Sequence, residues 1–373
     1  MERAGKEEVV VVEKSEDIIN NMERLPEGCI SDILSLTTPA DVCRSSLVSA
    51  LFKSAADSDA LWEKFLPADY EKIISRASNS ISSAALSKKE LYYRLSDDPL
   101  LIDGGLKSFQ LEKSSGKKCI MLGAKELAIV WGDTPQYWFY RGCPDSRFAE
   151  VAELRSVWWL EIRGKLEIQL LSPNTFYVAY LVLKLRDYAD GFDDYEPIKA
   201  KVEVIGQAGG DTSVCSEERL IYLCDGNEHS PPDPLETEYF ARERGDGWME
   251  VEMGYFYNEG GDNEGGEVHM SVLETERGVH KRGLIVQGME LRPKVDTNSH
   301  SNPDPIELRS SRNRSRRNRG TRRGRGGRAT VSSSYTYAQA FTSAASISQP
   351  STGSRGGRGR RGGRRGRGLV QQT

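Results

Sequence analysis

The chain has 373 residues and a formal net charge of −4, a total that conceals a strong asymmetry. From Arg309 to the C-terminus there are 17 arginines and no lysine or acidic residue, so the remaining 34 basic and 55 acidic residues give residues 1–308 a charge of −21. An acidic body followed by a basic tail indicates different partners for the two parts. No apolar run approaches the roughly 18 residues of a membrane span, and the acidic N-terminus is unlike a secretory signal. The sequence therefore predicts neither a membrane-spanning nor a secreted protein.

The six cysteines form no Cys-x-x-Cys pair, which favours neither a metal site nor a redox motif. We therefore expect buried free thiols in a reducing compartment, cytoplasm and nucleus, and no membrane partner. The positions are Cys29, Cys43, Cys119, Cys143, Cys215 and Cys224.

After an acidic leader predicted to be disordered, the first part of the chain predicts short helices. Leu25 and Pro26 open the first helix, since proline is tolerated in the first turn. A capping-box pattern over 38–41 opens a second, and Ser58 opens a third. Another capping box over 87–90 precedes a further helix. The second helix has its predicted apolar face at Cys43, Leu47, Ala50 and Leu51.

From about Gly104 the apolar period changes from 3.6 to 2, which predicts strands. The segment FYVAYLVLKL is apolar on both faces and should lie centrally in a sheet. Many short strands separated by Gly, Pro, Asn and Asp predict an antiparallel sandwich or barrel. The strand candidates are LKSFQLEK, KCIMLG, ELAIVWG, VWWLEIRG, LEIQLLS, FYVAYLVLKL, IKAKVEVIG, RLIYLC, GWMEVEMG, EVHMSVLE and GLIVQGMELRP.

The predicted fold class is therefore α+β: a small all-α domain, an antiparallel β-sandwich and a disordered basic tail. The predicted boundaries are 1–20 for the leader, 21–67 for the first helical domain, 68–103 for a helical linker, 104–294 for the sandwich and 295–373 for the tail.

The helical segment from Met22 to Leu66 resembles an F-box, through its opening Leu-Pro, its paired apolar positions and its closing Leu61-Trp62. The resemblance implies docking on a Skp-type adaptor of a cullin–RING ubiquitin ligase, with the helices presenting an apolar face. The alternative is that several of these side chains pack the helices together, and Trp62 favours the core. The predicted adaptor-binding residues are Leu25, Pro26, Ile30, Ile33, Leu34, Val42, Leu47 and Val48.

The β segment resembles the plant phloem protein 2 (Nictaba-like) lectins, through GAKELAIVWGDTPQYW, VAELRSVWWLEIRGKL, LSPNTFYVAYLVLKL, DGWMEVEMGYFYNEG and KRGLIVQGMELRPK in that order. The resemblance implies binding of N-acetylglucosamine oligomers or N-glycans through Trp131, Trp138, Glu267 and Glu274. Both tryptophans could instead be core residues. Glu267 and Glu274 lie seven residues apart and face opposite sides of an uninterrupted strand, so their cooperation requires a bulge or a loop at Glu274.

Patterns typical of catalysis are absent from the sequence. The four histidines show no metal-ligand spacing, and no nucleophile elbow or nucleotide loop occurs in the predicted domains. We therefore predict no catalytic residue, no metal and no cofactor, and a non-enzymatic adaptor or receptor.

The tail contains Arg-Gly-Gly at 325–327, 355–357 and 361–363, which resembles RNA-binding segments. Alternatives are a nuclear-import or methylation segment, or a gene-model extension without function. The acidic body could also mask the tail.

The sequence leaves two functions open. The first is a substrate receptor of a Skp–cullin–F-box ligase that captures glycoprotein or protein targets. The second is a stand-alone intracellular lectin with an RNA-binding tail.

Overall fold

A computed structural model describes residues 24–78, 85–192, 197–206, 214–215, 218–224, 240–260 and 265–294. The acidic leader and the Arg/Gly tail, 295–373, lie outside the described residues, as does Cys215 beyond its backbone.

The described N-terminal part contains six α-helices, and the two strongest start signals in the sequence are confirmed. Thr38 and Asp41 form a reciprocal capping box, and so do Ser87 and Glu90. The helices are α1 (Glu27–Leu34), α2 (Pro39–Ser45), α3 (Ala50–Ala56), α4 (Asp59–Phe65), α5 (Tyr70–Ser75) and α6 (Lys88–Asp97).

The predicted second helix is in fact two helices. Helix α2 ends at Ser45, and Ser49 caps α3 by accepting a hydrogen bond from the Phe52 N–H. The cap interrupts the periodic face that was predicted to continue from Cys43 through Leu51, because the Ncap residue is not helical. Leu47 consequently lies in the turn between the helices, where 87% of it is exposed.

Fifteen strands in the described residues form two antiparallel sheets whose inner faces share one apolar core. The nine-stranded sheet has the order β1-β2-β3-β15-β8-β13-β12, with β6 beside β15 and β5 beside β6. The six-stranded sheet has the order β10-β9-β14-β7-β4, with β11 also beside β9. The strands are β1 (Leu100–Ile102), β2 (Lys107–Leu111), β3 (Lys118–Gly123), β4 (Ala128–Ile129), β5 (Trp138–Arg141), β6 (Val151–Leu154), β7 (Leu160–Glu167), β8 (Thr175–Asp190), β9 (Ile198–Ile205), β10 (Val214–Cys215), β11 (Arg219–Ile221), β12 (Arg242–Glu243), β13 (Met249–Asn258), β14 (Glu267–Glu274) and β15 (Arg282–Pro293).

The α+β fold class is confirmed, with local differences. Strand β8 lies between β15 and β13, as its two-sided apolar pattern predicted. The candidate LEIQLLS leaves β7 after Glu167 and forms a 3-10 turn over Ile168–Leu170. Strand β1 falls inside the predicted helical linker because its Leu100 and Ile102 bury their side chains while pairing with β2.

The free thiols are not uniformly buried as expected. Cys119 is buried, but Cys29 and Cys43 are exposed on the short helices. Cys43 lies on the side of α2 that faces the Tyr93 hydroxyl, 3.0 Å from its Sγ. Short helices bury only one stripe, so small residues beside that stripe stay accessible.

Trp62 joins the helices to the sandwich. It is fully buried, which confirms its predicted core position, and its ring lies 5.1 Å from Tyr92 and 5.4 Å from Tyr93 of α6. The Tyr92 hydroxyl donates to the Lys113 carbonyl oxygen in the β2–β3 turn, 3.1 Å away. In the same turn, the closest neighbours of Gly116 are the Phe65 carbonyl and the Tyr92 ring. One core therefore runs from α1 into both sheets.

Replacing Trp62 with Ala is expected to destabilise the helices and the sandwich together, by about 3–5 kcal/mol, because the cavity lies at their junction. The free energy of unfolding measured in urea and amide exchange of β2 and β3 test this. Trp158→Ala, at a 62% exposed ring, is the matched control and should change stability by less than about 0.5 kcal/mol. Loss of helical structure with unchanged protection in β2 and β3 would contradict the shared core.

Candidate functional site

The eight predicted adaptor-contact residues fall into two groups. Ile30, Leu34 and Val42 are buried and pack the helices against each other. The other five are exposed: Leu25, Pro26, Ile33, Leu47 and Val48. Only the second group can meet a partner without rearrangement of the helices.

Leu36 was missed by sequence reasoning. It follows α1, its N–H donates to the Ile33 carbonyl, and 87% of it is exposed, as for Leu47. Both leucines lie just after the end of a helix. At such a position the periodicity of the sequence does not predict whether a side chain is buried or exposed. We refer to the exposed apolar residues of the helices as the leucine set: Leu25, Ile33, Leu36, Leu47 and Val48.

The two predicted sugar-binding tryptophans do not share a surface. Trp138 begins β5 and is only 2% exposed, as part of the main core. Trp131 is 44% exposed and stands on the β4–β5 connection with a φ of 57°, a left-handed conformation that is rare for a bulky residue. Its ring lies 5.2 Å from the Tyr137 ring.

Glu267 and Glu274 are separated as well. Strand β14 pairs with β7 in continuous register from Glu267 to Glu274, so neither the bulge nor the loop that would reconcile them is present. Glu274 points inward and is buried, and its Oε2 accepts a hydrogen bond from the buried Lys281 ammonium. Glu274 therefore does not present its carboxylate at the surface, where a sugar could reach it.

Glu267 lies on the outer face of the six-stranded sheet. Its carboxylate is 2.7 Å from the His269 Nε2, and this hydrogen bond holds the pKa of Glu267 below its usual range. It lines a shallow charged cleft with Arg76, Lys165 and Glu167, among others.

Trp131 and Glu267 mark opposite ends of the sandwich. The Val130 N–H, next to Trp131, bonds the Glu161 carbonyl at one end of β7. Glu267 pairs with Glu167 at the other end. Glu161 and Glu167 are six residue steps apart along β7, about 20 Å.

Exposed rings instead collect at the Trp131 end. The Trp159 Nε1–H donates to Glu161, 2.9 Å away, and the Trp158 ring contacts the His280 ring at 5.4 Å. We call Trp131, Tyr137, Trp158 and Trp159 the aromatic end. Trp158 and Trp159 were not predicted as site residues. Both fall in the strand candidate VWWLEIRG, but the strand begins only at Leu160.

The comparisons with known proteins agree with the two-part fold. An F-box-like family model matches residues 22–67, and the phloem protein 2 model matches residues 117–293. F-box protein PP2-B10 of Arabidopsis thaliana is 46% identical over 271 residues, which cover 73% of this chain and 93% of that one. F-box protein SKIP3 of the same plant is 40% identical, covering 74% and 90%.

The chain belongs to the family of F-box proteins with a phloem protein 2 domain. A solved xylan-binding CBM22-1 module of Paenibacillus barcinonensis is 13% identical and covers 43% of this chain and 87% of that one, with a TM-score of 0.21.

Between the two matched regions of this F-box phloem protein 2 chain lie α5, α6, β1 and β2. These elements supply Tyr92 and one strand of the β2–β3 hairpin, so they form the structural junction. Within the described residues, no cluster of three or more His, Cys, Asp or Glu is arranged to hold a metal ion, and no helix has the length and apolarity to cross a membrane.

The buried Lys281–Glu274 pair predicts a pH-dependent contribution to stability. Burial alone would raise the pKa of Glu274, but hydrogen bonds from Lys281 and the Arg277 N–H outweigh it and hold the pKa below the usual value. A lowered folded-state pKa gives stability that is present above the unfolded pKa, near 4.5, and is lost as pH falls through the folded value.

Glu274→Gln is therefore expected to lower the unfolding free energy at pH 7 by about 3–5 kcal/mol, since it leaves Lys281 buried without its counter-charge. The difference from the wild-type chain should shrink below pH 4.5. Denaturation curves between pH 7 and pH 3 measure both values. Glu267→Gln, on the exposed face, is the control and should lower the unfolding free energy much less. Equal losses for the two substitutions would contradict the stabilising role of the Lys281–Glu274 pair.

Proposed function

We propose that this protein is the substrate-receptor subunit of a Skp–cullin–F-box ubiquitin ligase. The F-box binds a Skp-type adaptor, which connects it to the cullin, and the β-sandwich captures the target. The observation that carries the proposal is the leucine set: two of its leucines, each 87% exposed, lie in turns that follow helices of the F-box-like segment. Apolar side chains held in water at such positions are typical of a surface that a partner covers.

In this role the chain does no chemistry. It raises the effective concentration of the target near the ubiquitin-loaded enzyme, so that transfer becomes nearly intramolecular. The shared core around Trp62 suits this role. Because the docking helices and the sandwich pack on one core, they hold the target at a fixed distance from the adaptor.

The surface best suited to capture a target is the aromatic end. Its exposed rings provide apolar contact area, and Glu161 and Asp133 add carboxylate acceptors beside them. Such a combination suits the C–H faces and hydroxyl groups of N-acetylglucosamine oligomers or N-glycans, and equally a peptide segment of a protein target.

Adaptor binding is tested with the full chain and a purified Skp-type adaptor. Leu36→Glu with Leu47→Glu is expected to weaken binding at least 100-fold, because two charges would enter an apolar interface. Leu220→Glu is the matched control, an exposed leucine on β11 of the sandwich, and should leave affinity unchanged.

Failure of the intact chain to bind the adaptor would overturn the ligase proposal. Equal binding by wild type and the double variant would instead show that the leucine set is not the contact surface.

The second candidate function is a stand-alone carbohydrate-binding lectin, favoured by the exposed tryptophans. Retention on immobilised chitin oligomers is the measurement, with the adaptor absent. Trp131→Ala and Trp158→Ala should each reduce retention about tenfold if sugars stack on these rings. Trp138→Ala is unsuitable as a test because that ring is buried in the core. Unchanged retention in both variants would exclude the aromatic end as the sugar site. RNA contact by the tail stays a prediction.

A further inference from the structure

The outer face of the nine-stranded sheet buries three carboxylates. Glu153, Glu250 and Glu290 each stand beside residues of the main core, so their own side chains point away from that core. All three are nevertheless almost inaccessible, with Glu290 only 2% exposed. Buried carboxylates at such positions need cationic partners.

Six arginines surround these three glutamates. Arg244 bridges Glu250 at 2.9 Å and Glu290 at 2.6 Å, and Arg292 reaches Glu250 at 2.7 Å. A second group surrounds Glu153, with Arg186 at 2.8 Å. We call the six the arginine stripe: Arg141, Arg147, Arg186, Arg242, Arg244 and Arg292.

The surrounding arginines favour the ionised form of Glu290 and Glu153. Burial alone would raise the pKa of Glu290, but Arg147, Arg244 and Arg292 outweigh it and hold the pKa below the usual value. The pKa of Glu153 is lowered in the same way, against burial, by Arg186 and Arg141. Six arginines against the three glutamates and Asp246, which lies 3.3 Å from the Arg244 Nε, leave a formal excess of two positive charges.

Part of that charge faces the solvent. Arg242 is 65% exposed and Arg186 and Arg292 are partly exposed, whereas Arg244 is buried beside the carboxylates. A positive surface is unexpected on a body with a formal charge of −21, because random placement of charges would leave any large face acidic.

Three tyrosines lie near these arginines. The Tyr180 ring lies 4.0 Å from the Arg292 guanidinium and 5.8 Å from that of Arg242. Tyr255 and Tyr188 are exposed, the first beside Arg292 across β8 and the second donating to Glu153. Arg186 and Tyr188 of β8 lie on the same side of the sheet, since both contact Glu153.

We propose that the arginine stripe is a binding surface for single-stranded nucleic acid. Guanidinium groups follow the phosphates, and the exposed Tyr188 and Tyr255 rings stack on bases, the combination that binds single strands without sequence preference. The proposal goes beyond the receptor function, and it does not depend on the Arg/Gly tail.

The test uses the full chain and a fluorescent 12-nucleotide RNA, titrated between 50 and 200 mM salt. Arg186→Gln with Arg242→Gln removes two cations while keeping a hydrogen-bond donor for each glutamate. Loss of two phosphate contacts should weaken binding roughly tenfold and reduce the slope of log K against log salt by about 1.4. The control, Arg163→Gln with Lys165→Gln, removes two cations from the outer face of the other sheet and should leave the slope unchanged.

Photo-crosslinking with a 4-thiouridine oligonucleotide locates the contact directly. Crosslinks to peptides that contain Tyr188 or Tyr255 would support the proposal. In the Tyr255→Ala variant, the crosslink to the peptide with residue 255 should disappear. Crosslinks confined to residues 295–373, or an equal slope for the arginine and control variants, would overturn it. Binding of phosphatidylserine vesicles that requires the stripe, without oligonucleotide crosslinks on this face, would assign the surface to a membrane instead.

Discussion

The packing of Trp62 against α6 is the interaction on which the two-part architecture depends. The ring belongs to the last F-box helix, but two of its aromatic neighbours, Tyr92 and Tyr93, belong to a helix that follows the F-box. Tyr92 in turn holds the β2–β3 turn through its hydroxyl. Because each contact crosses from one module to the next, the helices and the sandwich share the main core. The modules are therefore distinct in sequence and continuous in packing.

Buried carboxylates organise the sandwich in two different ways. Inside, Glu274 and Lys281 form a single neutral pair between β14 and the start of β15. Outside, each glutamate is shared by several arginines that come from different strands and loops. Shared partners of this kind couple β6, β8, β13 and β15 across the sheet, so removing one carboxylate would leave several cations facing each other. The second arrangement gives the outer face its charge and also links its strands through ion pairs.

Much of the fold follows from local signals, and much of the site does not. Capping residues and alternating apolar residues predicted helix starts and the central position of β8. The single cap at Ser49 was missed, and it divided a predicted helix. Aromatic content located the region of the rings but could not tell the buried Trp138 from the exposed Trp131, because both side chains are equally apolar. Period-2 spacing correctly placed Glu267 and Glu274 on opposite faces, whereas their assignment to one sugar site came from resemblance alone.

The left-handed backbone at Trp131 has a consequence for how the aromatic end meets any ligand. A bulky residue keeps such a φ only where its surroundings impose it, here a turn in which the Thr134 N–H bonds the Trp131 carbonyl. The backbone that carries the indole is thus restricted before a ligand arrives. Its conformational entropy is lost during folding, and association need not remove it again. Weak ligands with small contact areas can therefore be retained at this end, and their exchange can remain fast.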